Sequence, residues 1–454
     1  MPTERQLDKF AVSDTERIAV IGAGYIGLPT AVGFAALGYQ VVCADSNERK
    51  VQELNHGYVD LREEHLQELV SGAVRKQLLR FVASARDAVR NATVVFVCVP
   101  TPQAKNGSAD ISAVESVVSE IATVLPAGAI VATRSTVPVG TTERLSRLLR
   151  RSDVSVASNP EFLREGTAVQ DFFEPDRILI GCSNPDAGAR LAKLYSVLDA
   201  PVVVTDVRTA ELTKYASNAY LATRLSFVNS MARLCDATGS NVHQMMKVLG
   251  LDPRIGQKFL KVGPGWGGSC LPKDTMALLA TAREFGEPFL QLESTIRTND
   301  QHFDYVVSRV EELAGGSLTG TKVAVWGLAF KAGTSDLRDS PSLEIVRRMM
   351  DRGACVVAHD PAVGEDTTEA LGINYAGTPV AACAAASVLV VLTEWREYAE
   401  IDPSEVAAVM DRPVVFDTRS VLSADGWSLA GAHLESLGAA SRSFVRSNPN
   451  VSAA

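Results

Sequence analysis

Short, nearly unbroken apolar runs punctuate the first half of the chain. Arg17–Ile21, Gln40–Ala44, Val94–Val99, Ile130–Thr133, Val154–Ala157 and Ile178–Gly181 read as strands, rich in β-branched residues. Amphipathic stretches lie between them; the first follows Gly27, runs to about Leu37 and is stopped by Gly38. Strands alternating with helices predict a parallel, doubly wound sheet. From about Thr209 to Thr238 the period changes. Leu212, Ala216, Ala219, Thr223, Phe227, Met231 and Leu234 recur every three or four residues, which predicts one long helix ended by Gly239. A second helix runs from Ser240 to about Leu249, with Gly250 at its end. The long stripe fits a spine or subunit contact and fits a buried core helix equally well. Thr321–Gly327, Ala354–Ala358, Val388–Leu392 and Pro413–Phe416 then open a second strand series, and Gly315-Gly316-Ser317 marks a boundary before it.

The expected fold class is α/β, with two Rossmann-like doubly wound domains joined by a long-helix central domain. The expected division is an N-terminal extension (1–16), a dinucleotide domain (17–208), a helical centre (209–315), a second α/β domain (316–438) and a mobile tail (439–454). A length of 454 residues suits several cores better than one. A net charge of −9 and a pI near 5.4 give no basic footprint for nucleic acid or an anionic membrane. The longest apolar runs, such as Val94 to Pro100, are too short to span a bilayer, and residues 1–16 hold no secretory signal. Seven scattered cysteines without CxxC spacing indicate neither a disulfide framework nor a zinc site, and a reducing cytoplasm fits best.

Gly22-Ala23-Gly24-Tyr25-Ile26-Gly27 follows a strand and opens a helix, and Asp45 closes the next strand. In that context Gly22 permits the tight turn, Gly24 lets backbone approach a pyrophosphate, and Gly27 lets the helix pack on the strand. Asp45 would accept hydrogen bonds from a ribose and repel a 2′-phosphate, which favours NAD over NADP. Lys50 reads as a phosphate contact or as a solvated helix residue. Val99-Pro100-Thr101-Pro102 and Arg134-Ser135-Thr136-Val137-Pro138 lie at carboxyl ends of strands, where such folds bind ligands.

Gly267-Gly268-Ser269-Cys270-Leu271-Pro272-Lys273-Asp274 sets a cysteine between a glycine turn and a proline. With Pro272 as the first residue of a helix, Cys270 lies just ahead of the N-terminus, where backbone N–H groups and the helix dipole favour thiolate. Asp274 then stands about one turn along, able to exchange a proton or position a water. The alternative is a small buried hydrophobe, although the polar and glycine neighbours argue against a core position. Three further segments concentrate polar groups: Glu161 and Glu165 four apart, Lys214 and Asn218 four apart, and Lys331 with Arg338 in a loop. Each alone reads as a cap, a snorkelling lysine or a loop cation; the set reads as a site.

These segments together resemble the UDP-glucose/GDP-mannose dehydrogenase family. The motifs, in order, are GAGYIGLP (22–29), VPTP (99–102), STVPVGTT (135–142), SNPEFLREG (158–166), AELTKYASNAYLATRLSF (210–227) and GGSCLPKDT (267–275). GLAFKAGTSDLRDSPS (327–342), DP (360–361) and TEW (393–395) continue the match, which extends from about residue 17 to about 435. The resemblance implies an NAD domain, a helical dimerisation centre and a nucleotide-sugar domain. It implies a four-electron oxidation of a primary alcohol, with two NAD used in succession and Cys270 holding the aldehyde as a thiohemiacetal and then a thioester. Lys214 and Asn218 would stabilise the oxyanion, Asp274 would assist proton transfer, and Glu161 with Thr136 would manage the hydrolytic water. Around the cofactor it places Tyr25, Ile26, Lys50, Val99, Thr101, Pro102, Thr136, Glu165 and Arg338. Around the nucleotide-sugar it places Glu161, Phe162, Leu163, Arg164 and the loop Phe259-Leu260-Lys261 to Gly267, with Phe330, Lys331 and Arg419. Arg254 would reach into the neighbouring subunit's site, so a homodimer or higher homo-oligomer through the central helix is implied.

Departures from the family pattern are Trp266, Leu271 and Asp339. Ser269 and Lys273 match the glucose-type signature. The implied substrate is a nucleoside-diphosphate glucose, UDP-glucose ahead of dTDP-glucose; GDP-mannose or an N-acetylated sugar is the alternative. A two-electron hydroxyacid dehydrogenase needs neither the cysteine nor a second α/β domain. A non-catalytic NAD-binding protein would not keep Glu161, Lys214, Asn218, Cys270 and Asp274 together.

Overall fold

The computed structural model describes residues 16–439, so residues 1–15 of the expected extension and 440–454 of the expected tail lie outside the described residues. The chain forms two compact units: one holds the residues through Asn218 together with Lys273–Pro288, and the other holds Ala219–Pro272 and Phe289 onward.

The first unit is built on an eight-stranded sheet. Its strands are β1 (Arg17–Ile21), β2 (Gln40–Ala44), β3 (Leu79–Val82), β4 (Val94–Val97), β5 (Ile130–Thr133), β6 (Ser155–Ser158), β7 (Ile178–Cys182) and β8 (Val202–Thr205). They lie in the order β3-β2-β1-β4-β5-β6-β7-β8, all pairs parallel except β6 with β7. Every residue of β4 and β5 is buried, as unbroken apolar runs require in a sheet covered on both faces. The helix Gly27–Ala36 returns the chain from β1 to β2 and is buried along almost its whole length. Its Phe34 stacks on Phe96 of β4 with ring centroids 5.0 Å apart.

The second unit carries a six-stranded parallel sheet of β9 (Lys322–Trp326), β10 (Cys355–His359), β11 (Asn374–Tyr375), β12 (Val388–Val391), β13 (Val414–Asp417) and β14 (His433–Ser436). The order is β11-β10-β9-β12-β13-β14, the same winding as the first six strands of the other sheet. Val228, Ala232 and Cys235 of the long helix share one core with Val306 and Val310 of the helix Leu290–Leu313 and with Val323 and Val325 of β9. The exposed Gly315–Ser317 turn joins two segments that both contribute to this core.

Three local readings change. The long helix spans Val207–Thr238, but much of the apolar stripe named from its period faces solvent: Leu212, Phe227 and Leu234 are 44%, 51% and 51% exposed. The buried face is the neighbouring, more polar row of Glu211, Lys214, Tyr215, Asn218, Ala222, Ser226 and Asn229. The stripe is thus not that of a core helix. Asn159–Glu165 is not helical, so Glu161 and Glu165 do not share a helical face; Pro160 and Gly166 (φ +81°) favour a loop. The helix after the cysteine begins at Leu271, making Pro272 its second residue, a position where the missing N–H costs nothing.

Candidate functional site

In the first unit the glycine turn has the geometry that a dinucleotide requires. Gly22 holds φ +99°, and a Cβ there would lie 2.8 Å from the Cys98 carbonyl oxygen. A Cβ on Gly27 would fall 1.7 Å from the Gly22 carbonyl oxygen, so helix and turn touch through backbone alone. A Cβ on Gly24 would meet no atom within 4 Å, which leaves its outer side open to a ligand. Asp45 follows β2 directly, and its carboxylate accepts from Ala23 N (2.9 Å) and Asn47 N (3.0 Å), fixing it beside the turn. Tyr25 and Ile26 are half-buried in the turn itself. Lys50 sits in the helix Glu48–Asn55 with its Nζ 3.9 Å from Asp60.

The ends of β4 and β5 are tied together. Thr101 Oγ1 donates to Thr136 O (2.9 Å) and Ser135 Oγ to Val99 O (2.6 Å), and Thr101 and Thr136 are both buried. Beyond β6, Glu161 is buried, and Oε2 accepts from Leu163 N (2.6 Å). Lys214 Nζ, buried on the long helix, donates to Glu161 O (2.7 Å) and Oε1 (3.1 Å). The Phe162 ring carries the Arg177 guanidinium 3.7 Å from its centroid and Lys214 Nζ at 5.3 Å. Arg164 is held by Asp171. Asn218, one turn beyond Lys214, donates through Nδ2 to Asp274 Oδ2 (2.5 Å). Asp274 is 1% exposed, and its Oδ1 accepts from Lys273 Nζ (2.6 Å). The unit thus gathers an ion pair and an amide–carboxylate pair, all four groups buried.

In the second unit Cys270 stands immediately ahead of the helix Leu271–Glu284 and is exposed. Burial pushes the Cys98 and Cys383 thiols up to about 12, which leaves them inert in neutral solution. The loop before Cys270 packs on the second sheet's loops. A Cβ on Gly267 would fall 2.1 Å from Asp339 O, and one on Gly268 would fall 2.6 Å from the Phe330 ring. Arg419 donates from Nε to Leu392 O (2.8 Å) and from an Nη to Phe330 O (3.2 Å), and its other Nη lies 3.1 Å from the space beside Gly263. Phe330 therefore meets both Gly268 and Arg419, while Gly267 meets Asp339, and Lys331 Nζ lies 5.5 Å from the Phe330 ring. Phe259 is exposed with φ +58°, Leu260 is buried and Lys261 is exposed. Arg338 forms a fork on Asp336 (2.6 Å), and Arg254 is an exposed arginine paired with Asp252 (2.6 Å).

Three consecutive stretches match the profiles of one family. Residues 16–199 match its NAD-binding domain, 208–301 its central domain and 324–424 its UDP-binding domain. The chain belongs to the UDP-glucose/GDP-mannose dehydrogenase family. It is 41% identical over 433 residues to a UDP-glucose 6-dehydrogenase of Rhizobium meliloti, covering 93% of this chain and 99% of that one. A Bacillus subtilis protein of the same enzyme name is 37% identical, with 93% of each chain covered. Among solved structures, a UDP-glucose dehydrogenase of Pyrobaculum islandicum aligns with a TM-score of 0.86 at 36% identity, over 95% of this chain and 99% of that one. A UDP-D-ManNAc dehydrogenase of Pyrococcus horikoshii aligns with a TM-score of 0.83 at 27% identity, over 93% and 99%. As a member of this family the chain is an NAD-dependent oxidoreductase, and its open glycine turn beside Asp45 fits that cofactor.

Several supporting residues of this dehydrogenase escaped the sequence reading. Glu211 is buried on the long helix and accepts from Gly140 N (2.6 Å), Thr142 N (2.7 Å) and Thr142 Oγ1 (2.6 Å). It closes the N-terminus of the helix Thr141–Leu149, and its burial raises the carboxyl pKa. Arg134, buried, donates to Asn159 Oδ1 (2.9 Å) and Tyr195 Oη (2.8 Å), anchoring the loop that carries Glu161. Asp360 opens the Asp-Pro pair of the family resemblance, which gives it no role. It is 3% exposed and accepts from Leu328 N, Ala329 N, Ala362 N and Trp395 Nε1 at 2.8 to 3.2 Å. Asp417 accepts four backbone N–H bonds from Arg419 to Leu422 and thereby sets the Arg419 loop. Carboxylates that bind backbone leave no periodic trace, although Asp-Pro and Asp-Thr-Arg after a strand hint at such turns.

Proposed function

We propose that this enzyme oxidises the C6 alcohol of UDP-glucose to the carboxylate in two successive steps, with the sugar held on Cys270 between them. The observation that carries this reading is one helix. Exposed Cys270 precedes Leu271–Glu284, and buried Asp274, bonded to Asn218, lies in its first turn. NAD, held by Gly22, Gly24, Gly27 and Asp45, supplies the hydride acceptor for each oxidation, two molecules per sugar. The alcohol loses a hydride and a proton to become the aldehyde. The Cys270 thiolate adds to its carbonyl carbon, and the oxygen takes a proton to give the thiohemiacetal. Loss of a second hydride and that proton gives the thioester. Water adds to it, the C–S bond breaks, and carboxylate and thiolate result. Lys214 and Asn218 donate to the C6 oxygen whenever it carries negative charge, in a site where little water competes. Asp274 takes up and returns the protons at sulfur and oxygen. Glu161, with Thr136, orients the attacking water.

The substrate assignment is supported by relatives named UDP-glucose 6-dehydrogenase at 36 to 41% identity, against 25 to 27% for solved dehydrogenases of N-acetylated sugars. Ser269 and Lys273 favour the same sugar. Phe330, Lys331 and Arg419, with the loop from Phe259 to Gly267, are proposed to hold the nucleotide-sugar, and Arg338 a phosphate. The exposed stripe of Leu212, Phe227 and Leu234, extended by Tyr220 (63% exposed), supports a homodimer along the long helix, with Arg254 serving the partner's site. Seven cysteines, none of them in a disulfide among the described residues, support a reducing cytoplasm.

One preparation tests these points. A panel of UDP-, dTDP- and GDP-sugars and an N-acetylated sugar is offered with excess NAD, and NADH and acid are counted. UDP-glucose should give two NADH per sugar and at least tenfold the kcat/KM of any other. Cys270→Ser should lower acid formation at least a thousandfold, and the solution mass should be that of a dimer or a multiple of it. One NADH per sugar, or normal acid formation by the serine variant, sinks the mechanism.

A further inference from the structure

The loop leading into Cys270 is held by buried side chains that the chemistry above does not use. The Asn299 carboxamide closes both main-chain groups of Trp266: Oδ1 accepts from Trp266 N (2.9 Å) and Nδ2 donates to Trp266 O (2.8 Å). Three residues earlier, Gly263 is held the same way by two side chains. Asn229 Oδ1 accepts from Gly263 N (3.1 Å), and His302 Nε2 lies 2.9 Å from Gly263 O. A carbonyl only accepts, so Nε2 carries the imidazole proton. Trp266 Nε1 donates to Ser226 Oγ (2.8 Å), whose hydroxyl donates to Thr295 O (3.0 Å). Asn229, Asn299 and His302 are 3%, 6% and 0% exposed. Between the two clasps Gly265 has φ +142°, and a Cβ there would fall 2.3 Å from Phe303, so the loop passes flat against the helix Leu290–Leu313.

Burying three polar side chains costs stability unless each is matched, and apolar residues would pack a loop without that demand. What the amides add is register: a carboxamide paired to both groups of one residue fixes its orientation, as a strand neighbour would. Val207–Thr238 and Leu290–Leu313, which supply the clasps, are the two longest helices among the described residues. The clasped residues stand seven and four positions before Cys270.

We propose that Asn299, Asn229 and His302 are positioning residues that set the Gly263–Gly268 backbone and so present the Cys270 sulfur in its attacking orientation before substrate arrives. This rests on the reading of Cys270 as nucleophile. Preorganisation removes an ordering cost from each turnover, so loosening the clasp lowers kcat and changes thiol reactivity while the fold survives.

The test compares Asn299→Ala, Asn299→Asp, Ser226→Ala and Cys270→Ser with the parent enzyme. The aspartate keeps an acceptor for Trp266 N but sets a carboxylate oxygen against Trp266 O. Read out are Tm, kcat and KM for UDP-glucose, and the iodoacetamide labelling rate of the Cys270 peptide by mass spectrometry, which separates it from exposed Cys355. The expected result is kcat at least tenfold lower in both Asn299 variants, a labelling rate changed at least threefold, and a smaller change of the same kind in Ser226→Ala. If Asn299→Ala does not fold, Asn299→Asp and Ser226→Ala carry the decision. Folded variants with parental kcat and labelling, beside an inactive Cys270→Ser, overturn the positioning role alone. A Cys270→Ser enzyme that still makes acid overturns the nucleophile itself.

Discussion

The two sheets open with the same turn and use it differently. Gly22 follows β1 with φ +99°, and Gly327 follows β9 with φ +96°. Gly22 N donates to Ala44 O (2.7 Å) and Gly327 N to His359 O (2.8 Å), each reaching the end of the neighbouring strand. An aspartate stands just past that strand in both, Asp45 and Asp360. There the likeness stops. The first turn runs straight into the helix at Gly27, so its backbone N–H groups and the helix N-terminus face an open side. The second turn continues through Phe330 and Arg338, and its helix starts only at Pro341. Asp45 spends its carboxylate on two backbone N–H groups, whereas Asp360 is filled by four donors and cannot reach a ribose. The same backbone event makes a main-chain cradle in one unit. In the other it makes a scaffold for a loop that carries two cations, Lys331 and Arg338.

That contrast predicts opposite consequences for the paired aspartates. Asp360→Ala strands four buried donors, at about 1 kcal/mol each, so the second unit should lose about 4 kcal/mol. All four tryptophans lie in that unit, at 266, 326, 395 and 427, so urea unfolding followed by their fluorescence reads it directly. Asp45→Ala should leave that transition unmoved and instead raise KM for NAD at least tenfold while improving use of NADP. Equal destabilisation by both changes would erase the distinction.

The glycines sharpen it further. Gly27→Ala forces a methyl against the Gly22 carbonyl and should destabilise the first unit by about 3 kcal/mol. Gly24→Ala meets no protein atom, so its Tm should stay within a few degrees of the parent. Its affinity for NAD, measured by calorimetry, should nevertheless fall at least tenfold. A Gly24→Ala enzyme binding NAD normally would mean that the open face of the turn is not where the pyrophosphate lies.

How much of this the sequence disclosed follows from what kind of signal each feature leaves. The glycine turn, Asp45 and the Cys270 segment were legible because each needs particular residues at fixed spacing. The winding of both sheets was legible because buried parallel strands are unbroken apolar runs. The long helix was found, but not its buried face. Period reveals that Leu212, Phe227 and Leu234 share a side, not that the chain's own core takes the polar row beside them. That row is where Lys214 and Asn218 belong, and a helix that buries its more polar face inverts the usual inference from hydrophobicity. Asp360, Glu211 and Asn299 stayed hidden for another reason. Their partners are main-chain groups far along the chain, and backbone leaves no mark of its own in a sequence.

The smallest expected effect concerns His302, the imidazole of the loop clasp. Burial holds it neutral, with Arg233 also disfavouring the charged form and the bond to Gly263 O opposing them, and its pKa falls to about 4 from an ordinary 6.5. Between those values the unfolded chain binds a proton that the folded unit does not. Stability is therefore fully present above about pH 6.5 and is lost as pH falls towards 4. From pH 7 to pH 5 this one group should remove about 2 kcal/mol from the second unit. His302→Gln keeps a donor for Gly263 O and cannot titrate, so its tryptophan-detected stability should decline less over that range by the same amount. Parallel curves for parent and variant would mean that the imidazole titrates alike in the folded and unfolded chain, and so takes up its charge in the fold. A charged His302 would donate from both nitrogens and need an acceptor at Nδ1, which has none among the described residues. The neutral ring and the single clasp to Gly263 therefore stand or fall together.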